Sequence, residues 1–184
     1  FAAGEMVQHK APTTAPIPLG AVVTASGTGA EMNGGAVITN EDAKIKGGMF
    51  AAAPRFAILN PEYTMSLPRM QVLSGAFDTL SHAMETYLGN SDEDNVSDDV
   101  ALAIMRNTVV NMRRLLKDIN DIQARSNLMW AATWALNTLV SRGKSTDWMV
   151  HMLGQSVGAY TNATHGMTLA AVSLPYYRHI LPYG

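Results

Sequence analysis

The sequence predicts a mostly α-helical protein in which an all-helical domain follows a shorter, strand-rich segment. Short apolar runs with β-branched residues, separated by turns of small residues, occupy the front of the chain. From residue 68 onward, the apolar residues recur with helical periodicity instead. The 184 residues are 47% hydrophobic and 15% charged, with a net charge of -2, a composition typical of a globular protein with a sizeable core.

The strand-rich segment follows a connecting loop predicted at residues 1–16, where prolines would break a helix. Strands are predicted at three places along the chain: residues 19–24, 34–39 and 55–59. The first of them is a continuous apolar run and is predicted to be buried. A basic loop that contains Lys44 and Lys46 is predicted between the second and third strands.

Helical periodicity then predicts five helices: residues 68–88, 95–117, 119–142, 146–159 and 166–180. A stretch at 60–68 with a proline near each end separates them from the strands. We therefore expect two units, residues 1–64 and residues 65–184.

The composition also excludes several classes of protein. Cysteine is absent, so there is no disulfide, thiolate nucleophile or cysteine-based metal site, and a reducing, cytoplasmic location is expected. No long basic patch is present, so nucleic acid is not expected as a partner. The longest apolar runs are far shorter than a bilayer span, which argues against a membrane protein.

Both ends of the sequence suggest the central piece of a longer protein. The sequence begins at Phe1 rather than at a methionine, and it shows no targeting pattern there. It stops at Gly184 directly after an apolar, helix-like segment without a polar tail. We therefore expect further chain on both sides.

The stretch 75–87 carries the first candidate site. Asp78 and His82 are four residues apart in a predicted helix, so their side chains lie one turn apart on the same face. Most neighbouring residues are apolar or small, and a buried carboxylate is costly unless a partner such as a metal ion offsets its charge. A lone histidine on such a face is more often a core or capping residue with its hydrogen bonds satisfied.

Two later histidines are candidates for the same site. His151 lies on a predicted helix rich in tryptophan, methionine and leucine, an inward-facing surface by our prediction, and His165 follows the turn that opens the last helix. With Asp78 and His82 they make three imidazoles and one carboxylate, which suits Fe(II) or Zn(II). Spacing alone does not establish that these residues converge. The two remaining histidines are interpreted as surface residues or neighbours of the site: His9 and His179.

Several segments carry a resemblance to a known family. They are Thr-Ala-Ser-Gly-Thr-Gly-Ala-Glu at 24–31, Gly-Ala-Phe-Asp-Thr-Leu-Ser-His and its continuation at 75–87, and residues 127–137, 147–154 and 164–166. In order and at family-like spacing, they resemble the iron-containing (group III) alcohol dehydrogenases, particularly the branch of butanol dehydrogenases and broad-range aldehyde reductases.

The resemblance implies a fold and a ligand set. It implies that residues 1–64 are a strand-rich remnant of an α/β dinucleotide-binding domain. Residues 65–184 would be an all-helical, metal-binding catalytic domain whose C-terminal part is missing. It also implies that the metal ligands are the four residues already singled out: Asp78, His82, His151 and His165.

The same resemblance assigns the front turn and the lysine loop to the dinucleotide. Thr24 and Thr28 would offer hydroxyl groups, and Gly27 and Gly29 would let the backbone approach the cofactor closely. Lys46 matches the family lysine that reaches the cofactor. Taken alone, Ser-Gly-Thr-Gly at 26–29 is better explained as a tight turn, because short glycine motifs often occur without a ligand.

The implied reaction is reversible hydride transfer between NADH or NADPH and a small aldehyde or primary alcohol. It would occur at an Fe(2+) site that Zn(2+) also fits, in a homo-oligomer, with no catalytic residue beyond the metal ligands. The chain departs from the family because it lacks the glycine-rich phosphate-binding segment and has Ala25 and Gln155 in place of a frequent threonine and histidine. Two alternatives stay open: a non-redox lyase or synthase on the same scaffold, and a truncated chain that binds metal but is inactive.

Overall fold

The computed structural model of the chain describes residues 15–50, 52–90 and 95–183. Most of the loop predicted at 1–16, including His9, lies outside these residues. The described part begins with short strands and continues with α-helices joined by short connections. None of its helices is both long enough and apolar enough to cross a bilayer.

The strands form two separate pairs. They are β1 (Gly20–Val22), β2 (Gly35–Asn40), β3 (Ile45–Phe50) and β4 (Phe56–Ile58). β1 pairs with β4 in parallel, and β2 pairs with β3 as an antiparallel hairpin. The three predicted strands are therefore present near their predicted places.

The predicted basic loop is wrong, because Lys46 lies in β3, opposite Thr39 of β2. The actual turn ends at Lys44, whose φ of 53° reverses the chain. The strand escaped prediction because Gly47 and Gly48 follow Lys46, and glycine is depleted in strands. The correction places the Lys46 side chain on a regular element, which limits where its amine can lie.

The first strand is not buried as predicted. Val22 is 53% exposed, and on the paired strand Phe56 and Ile58 are 62% and 46% exposed. Val23, just after β1, is the buried residue of this run, at 8% exposure. A parallel pair is buried only where other elements cover its faces, and within the described residues no third strand joins it.

The helical part contains the five predicted α-helices. They are α1 (Arg69–Tyr87), α2 (Val96–Lys117), α3 (Ile122–Ala135), α4 (Met149–Thr161) and α5 (His165–Ile180). The starts of α2 and α3 are capped by side chains of Asn95 and Asp121, which accept hydrogen bonds from first-turn amides. The connection into α1 contains a short 3-10 turn at Pro61–Thr64.

The helix predicted at 119–142 is too long. α3 ends at Ala135, and a separate 3-10 turn follows at Val140–Gly143. Thr138 has a φ of 72°, a left-handed conformation that an α-helix cannot contain. The side-chain oxygen of Asn137 accepts a hydrogen bond from the Leu139 amide at 3.0 Å, which favours the turn over a further helical residue.

α1 is the central helix of this part, since it packs against α2, α3 and α5. Its apolar positions join two core clusters, one around Ala76 and Leu115 and the other around Ala83. Asp78 and His82 lie between those alanines in the sequence and are each 4% exposed. The central helix therefore carries its polar candidates inside the protein.

Candidate metal centre

The carboxylate of Asp78 lies at the centre of the candidate site. On the same face of α1, one turn later, His82 places its Nε2 atom 3.7 Å from Oδ1 of Asp78. The same-face arrangement expected from the four-residue spacing is thus present. Burial of both side chains means that the charge of Asp78 needs partners other than water.

α4 and α5 bring two further imidazoles to the same oxygen. His151, in the first turn of α4, has its Nε2 atom 3.5 Å from Oδ1 of Asp78, and His165, the first residue of α5, has its own at 3.6 Å. His151 is buried, whereas the side chain of His165 is 28% exposed. Three imidazoles from three helices therefore face one carboxylate oxygen, and His165 is the member nearest to solvent.

The chemistry and spacing of these groups fit a divalent cation. Ligand atoms about 2.1 Å from a tetrahedral zinc lie about 3.4 Å from one another. Asp78 Oδ1 and His151 Nε2 are buried and lack a hydrogen-bond partner among the described residues. Buried polar atoms in this condition are unfavourable unless something else contacts them, and a metal ion would do so.

His82 is the less regular member of the set. Ligand atoms of Asp78, His151 and His165 all lie within 4.8 Å of one another, and His82 does not join that group. Its ring is instead stacked on the ring of His151, with centroids 4.5 Å apart and an interplanar angle of 17°. A metal bound by all four residues would therefore draw the His82 imidazole inward.

Burial and charge determine which of these groups is ionised. Burial raises the pKa of Asp78, but His82 and the other two histidines outweigh it and lower the pKa below its usual range. Burial lowers the pKa of His82 to about 4 and also lowers that of His165. At neutral pH both imidazoles are thus neutral, the form that binds metals, beside an ionised carboxylate.

His151 has the opposite shift. Burial lowers its pKa, but its interactions with Asp78 and Glu85 outweigh that effect and raise the pKa to about 9. In the metal-free protein this imidazole therefore holds a proton at neutral pH, between two carboxylates. A cation between its Nε2 atom and Asp78 would take the place of that proton.

Glu85 is a functional candidate that the sequence reasoning missed. It is 4% exposed, and its Oε1 accepts hydrogen bonds from the backbone amides of Val150 at 2.6 Å and His151 at 3.2 Å. Its Oε2 contacts Nδ1 of the His151 ring. The sequence feature that could have revealed Glu85 is its position three residues after His82. This spacing places a second carboxylate, besides that of Asp78, on the inner face of α1.

Close backbone contacts hold the site and the front turn together. A Cβ atom on Gly75 would lie 1.9 Å from the carbonyl oxygen of Ser26, so the turn rests directly on α1. Gly29 has a φ of 57°, and a Cβ there would lie 2.7 Å from the carbonyl oxygen of Ala132 in α3. Glycine is required at these positions to seat the turn between two helices.

The turn and the candidate metal ligands border the same cavity. The cavity has a volume of about 350 Å³, and its lining includes Gly27, Thr28, Asp78 and His165. The structure thus places two of the proposed cofactor residues beside two of the proposed ligands. Thr24 is exposed and does not line this cavity.

Lys46 lies near the candidate site. Its Nζ atom would be 3.6 Å from a Cβ on Gly158, so the β3 side chain lies against α4. Its positive charge also contributes, after burial, to the low pKa of His165. The lysine therefore lies close enough to the candidate centre to act on it electrostatically.

The surface around His151 faces inward only in part. Met149, Met152 and Leu153 are 38%, 55% and 40% exposed, so the predicted inward-facing surface is wrong for these residues. The buried residues of α4 include Gly154, where the missing side chain allows that of Leu169 to approach. Trp148 does reach the site, since its indole packs edge-on against His151 with ring centroids 5.4 Å apart.

Comparisons with known proteins agree with this architecture. The family profile "Fe-containing alcohol dehydrogenase family, C-terminal" matches residues 72–180, and the profile "Iron-containing alcohol dehydrogenase" matches residues 2–61. The NADH-dependent butanol dehydrogenase B of Clostridium acetobutylicum is 37% identical over 90% of this chain and 43% of its own length. The NADPH-dependent aldehyde reductase YqhD of Escherichia coli is 38% identical over 85% of this chain and 41% of its own length.

Solved structures agree as well. The crystal structure of E. coli K-12 YqhD superposes with a TM-score of 0.91 at 34% identity, covering 96% of this chain and 46% of that one. The crystal structure of the Thermotoga maritima NADH-dependent butanol dehydrogenase A superposes with a TM-score of 0.85 at 35% identity, covering 90% of this chain and 42% of that one. The chain spans less than half the length of these relatives. The family resemblance is confirmed, and the chain belongs to the iron-containing alcohol dehydrogenases.

Proposed function

We propose that this chain carries the metal centre of an NAD(P)-dependent alcohol dehydrogenase or aldehyde reductase. The reaction is reversible hydride transfer between the nicotinamide and a small aldehyde or primary alcohol. The observation that supports it most directly is the convergence of three Nε2 atoms, from three helices, on one oxygen of Asp78. The names of the relatives, which include butanol dehydrogenases and an aldehyde reductase, support the substrate class.

Asp78, His82, His151 and His165 are the proposed ligands of Fe(2+), and Zn(2+) fits the same donors. The bound metal would act as a Lewis acid toward the substrate oxygen. Asp78 supplies the negative charge that offsets the cation, and His82 and His165 are already in the neutral form that ligation requires. In this proposal substrate approaches from the cavity on the side of His165, which the partial exposure of that side chain supports.

The front turn is the proposed binding site for the dinucleotide. Gly27 lines the cavity without a side chain, so its backbone can approach a ligand there closely. Thr28 lines the same cavity, and its hydroxyl oxygen accepts a hydrogen bond from the Ala30 amide at 3.3 Å, leaving its proton for the cofactor. Thr24 and Lys46 complete the proposed set. The relatives use both NADH and NADPH, so the proposal covers either.

The remaining assignments are part of the same proposal. We place the dinucleotide-binding unit in residues 1–64 and the metal-binding unit in residues 65–184. We also propose that the protein is a homo-oligomer. A reducing, cytoplasmic location suits a chain that lacks cysteine.

Metal analysis combined with an activity assay tests the proposal. The full-length protein and its His151→Ala variant are each stripped, reloaded anaerobically with Fe(2+), and assayed for NAD(P)H-dependent reduction of butyraldehyde. His179→Ala is the matched control, because His179 is an exposed histidine distant in sequence from the ligands. We expect His151→Ala to lose both metal and activity while His179→Ala keeps both. Full activity of metal-free His151→Ala would overturn the proposal.

A further inference from the structure

We propose that Glu85 is a positioning residue that sets the tautomer of His151 and anchors the first turn of α4, so that Nε2 of His151 faces the metal. This inference rests on the proposed function, since it concerns the same centre. It assigns a role to a buried carboxylate that is not itself among the proposed ligands.

The Glu85 side chain is buried and directed at α4. At 4% exposure it has little access to water, so its charge requires strong donors. The structure supplies the Val150 amide, the His151 amide and the His151 ring, all from the first turn of α4. Among the described residues, the recorded ion pair of Glu85 is with His151 and not with a lysine or arginine.

The start of α4 needs such an acceptor. Its N-cap residue is Trp148, in a left-handed conformation with a φ of 53° and without a side-chain hydrogen bond to the helix. The first amides of a helix have no partner within the helix, and a carboxylate near them is also favoured by the helix dipole. Of the first amides of α4, Asp147 accepts only from that of Met149, at 2.9 Å, and its other oxygen accepts from the Tyr176 hydroxyl at 3.1 Å. Glu85 therefore acts as a cap supplied from another helix.

The same carboxylate determines which ring nitrogen of His151 is free. An ionised carboxylate can only accept hydrogen bonds, so the Nδ1 atom in contact with it must carry hydrogen. The neutral imidazole then presents its lone pair at Nε2, 3.5 Å from Oδ1 of Asp78. By contrast, the Nδ1 atom of His165 lacks a hydrogen-bond partner among the described residues, and His82 is hydrogen-bonded to the backbone of Gly27 instead of to a carboxylate. Of the three imidazoles, His151 is thus the one whose tautomer is set by a carboxylate.

Glu85→Gln separates the two roles. The amide oxygen can still accept from the Val150 amide, so the start of α4 keeps its cap. The amide NH₂ group then faces Nδ1 of His151 and donates to it, which favours the tautomer with hydrogen on Nε2 and so weakens ligation through that atom. Zinc affinity should fall about 10- to 100-fold, the usual effect of losing a partner that orients a metal-binding histidine. Glu85→Ala should lose zinc affinity and also lower the Tm of the metal-free protein.

The test is a calorimetric titration of the stripped full-length protein with zinc alone, for wild type, Glu85→Gln and Glu85→Ala. Glu41→Gln, at an exposed glutamate in the hairpin turn, is the control and should bind zinc like wild type. In parallel, long-range ¹H–¹⁵N NMR of the zinc-loaded wild type should show His151 protonated at Nδ1 and bound through Nε2. In Glu85→Gln without zinc, the same spectra should show the neutral His151 ring with its hydrogen on Nε2 instead.

The outcomes distinguish this inference from the proposed function. If wild type binds no zinc, the metal proposal itself fails. If wild type binds zinc and Glu85→Gln binds it equally well, the metal site stands and the role of Glu85 is overturned. A lower Tm with unchanged zinc affinity also overturns it, because a purely structural residue would behave in that way.

Discussion

Gly166, the residue after the proposed ligand His165, packs directly on the carbonyl oxygen of Ser74 in α1. A Cβ atom at Gly166 would lie 2.0 Å from that oxygen, far inside van der Waals contact. Ser74 precedes Asp78 by one helical turn. The start of α5 and the Asp78 carboxylate are therefore held in register by a contact that only glycine permits.

Gly166→Ala should damage the metal site without touching a ligand. The added methyl group meets backbone, which cannot rotate away, so α5 must shift and carry His165 with it. We expect a loss of about 1–3 kcal/mol in unfolding free energy, typical of overpacking, together with weaker zinc binding. Urea unfolding and zinc titration measure both. Gly48→Ala is the control, because the nearest atom to its Cβ would be 3.9 Å away; equal behaviour of the two variants would contradict the packing argument.

Metal binding should release one proton near neutral pH. The pKa of His151, raised to about 9, means that its Nε2 proton must leave before a metal can bind. His82 and His165 contribute no proton there, since their pKa values are lowered. Zinc affinity should rise about tenfold per pH unit between pH ~7 and ~9 and then level off. Titrations in buffers of different ionisation enthalpy count the protons, and zero protons released near pH 7 would refute the assignment.

The metal-free protein should lose stability in mild acid through His82. Its folded pKa of about 4 is below the usual histidine pKa of 6.5, so the unfolded state takes up a proton first as the pH falls. This stability is present above pH 6.5 and is lost as the pH falls toward 4. The contribution of His151 to stability stays constant between pH 6.5 and 4. Its pKa is raised in the folded state, so it affects the pH dependence of stability only above its pKa in the unfolded state. As the pH falls, the unfolding free energy of His82→Asn should decrease less steeply than that of the wild type, with slopes that differ by up to roughly 1.4 kcal/mol per pH unit. Equal slopes would argue against the lowered pKa of His82.

Lys46→Met should weaken the binding of NAD(P)H while leaving metal binding unchanged. The lysine lies on β3 against α4 and is not one of the four proposed ligands. Losing a hydrogen bond to a charged group typically costs about 1.5–3 kcal/mol, so the Kd for NAD(P)H should rise at least about tenfold. Fluorescence titration of the zinc-loaded full-length protein with NADH and NADPH measures it. Unchanged Kd values for both would remove Lys46 from the proposed cofactor set.

The helical part of the fold was predictable because its signals are local. Periodicity and capping residues located all five helices, and the four-residue spacing placed Asp78 and His82 on one face. The end of α3 was not predictable in the same way, since the left-handed Thr138 gives no compositional warning. β3 was not predicted because it contains two glycines, which are depleted in strands. The exposure of β1 depends on which other elements cover it and not on its own residues.

The candidate site, too, was predictable from the sequence only in part. No local pattern shows that His151 and His165 approach Asp78, because the contacts join residues far apart in the sequence; the family resemblance supplied that expectation. Glu85 escaped notice because a buried glutamate and an exposed one look alike in sequence. Its role became visible only with its bonds to α4.

X-ray absorption spectroscopy of the zinc-loaded full-length protein tests the central claim most directly, because it counts the ligands. His82 makes the count informative, since it lies outside the group of mutually close ligand atoms. We predict one zinc per chain with three imidazole nitrogens and one carboxylate oxygen at about 2.0–2.2 Å. A centre with fewer than three imidazoles, or a protein that takes up no zinc, would contradict the proposed set of Asp78, His82, His151 and His165.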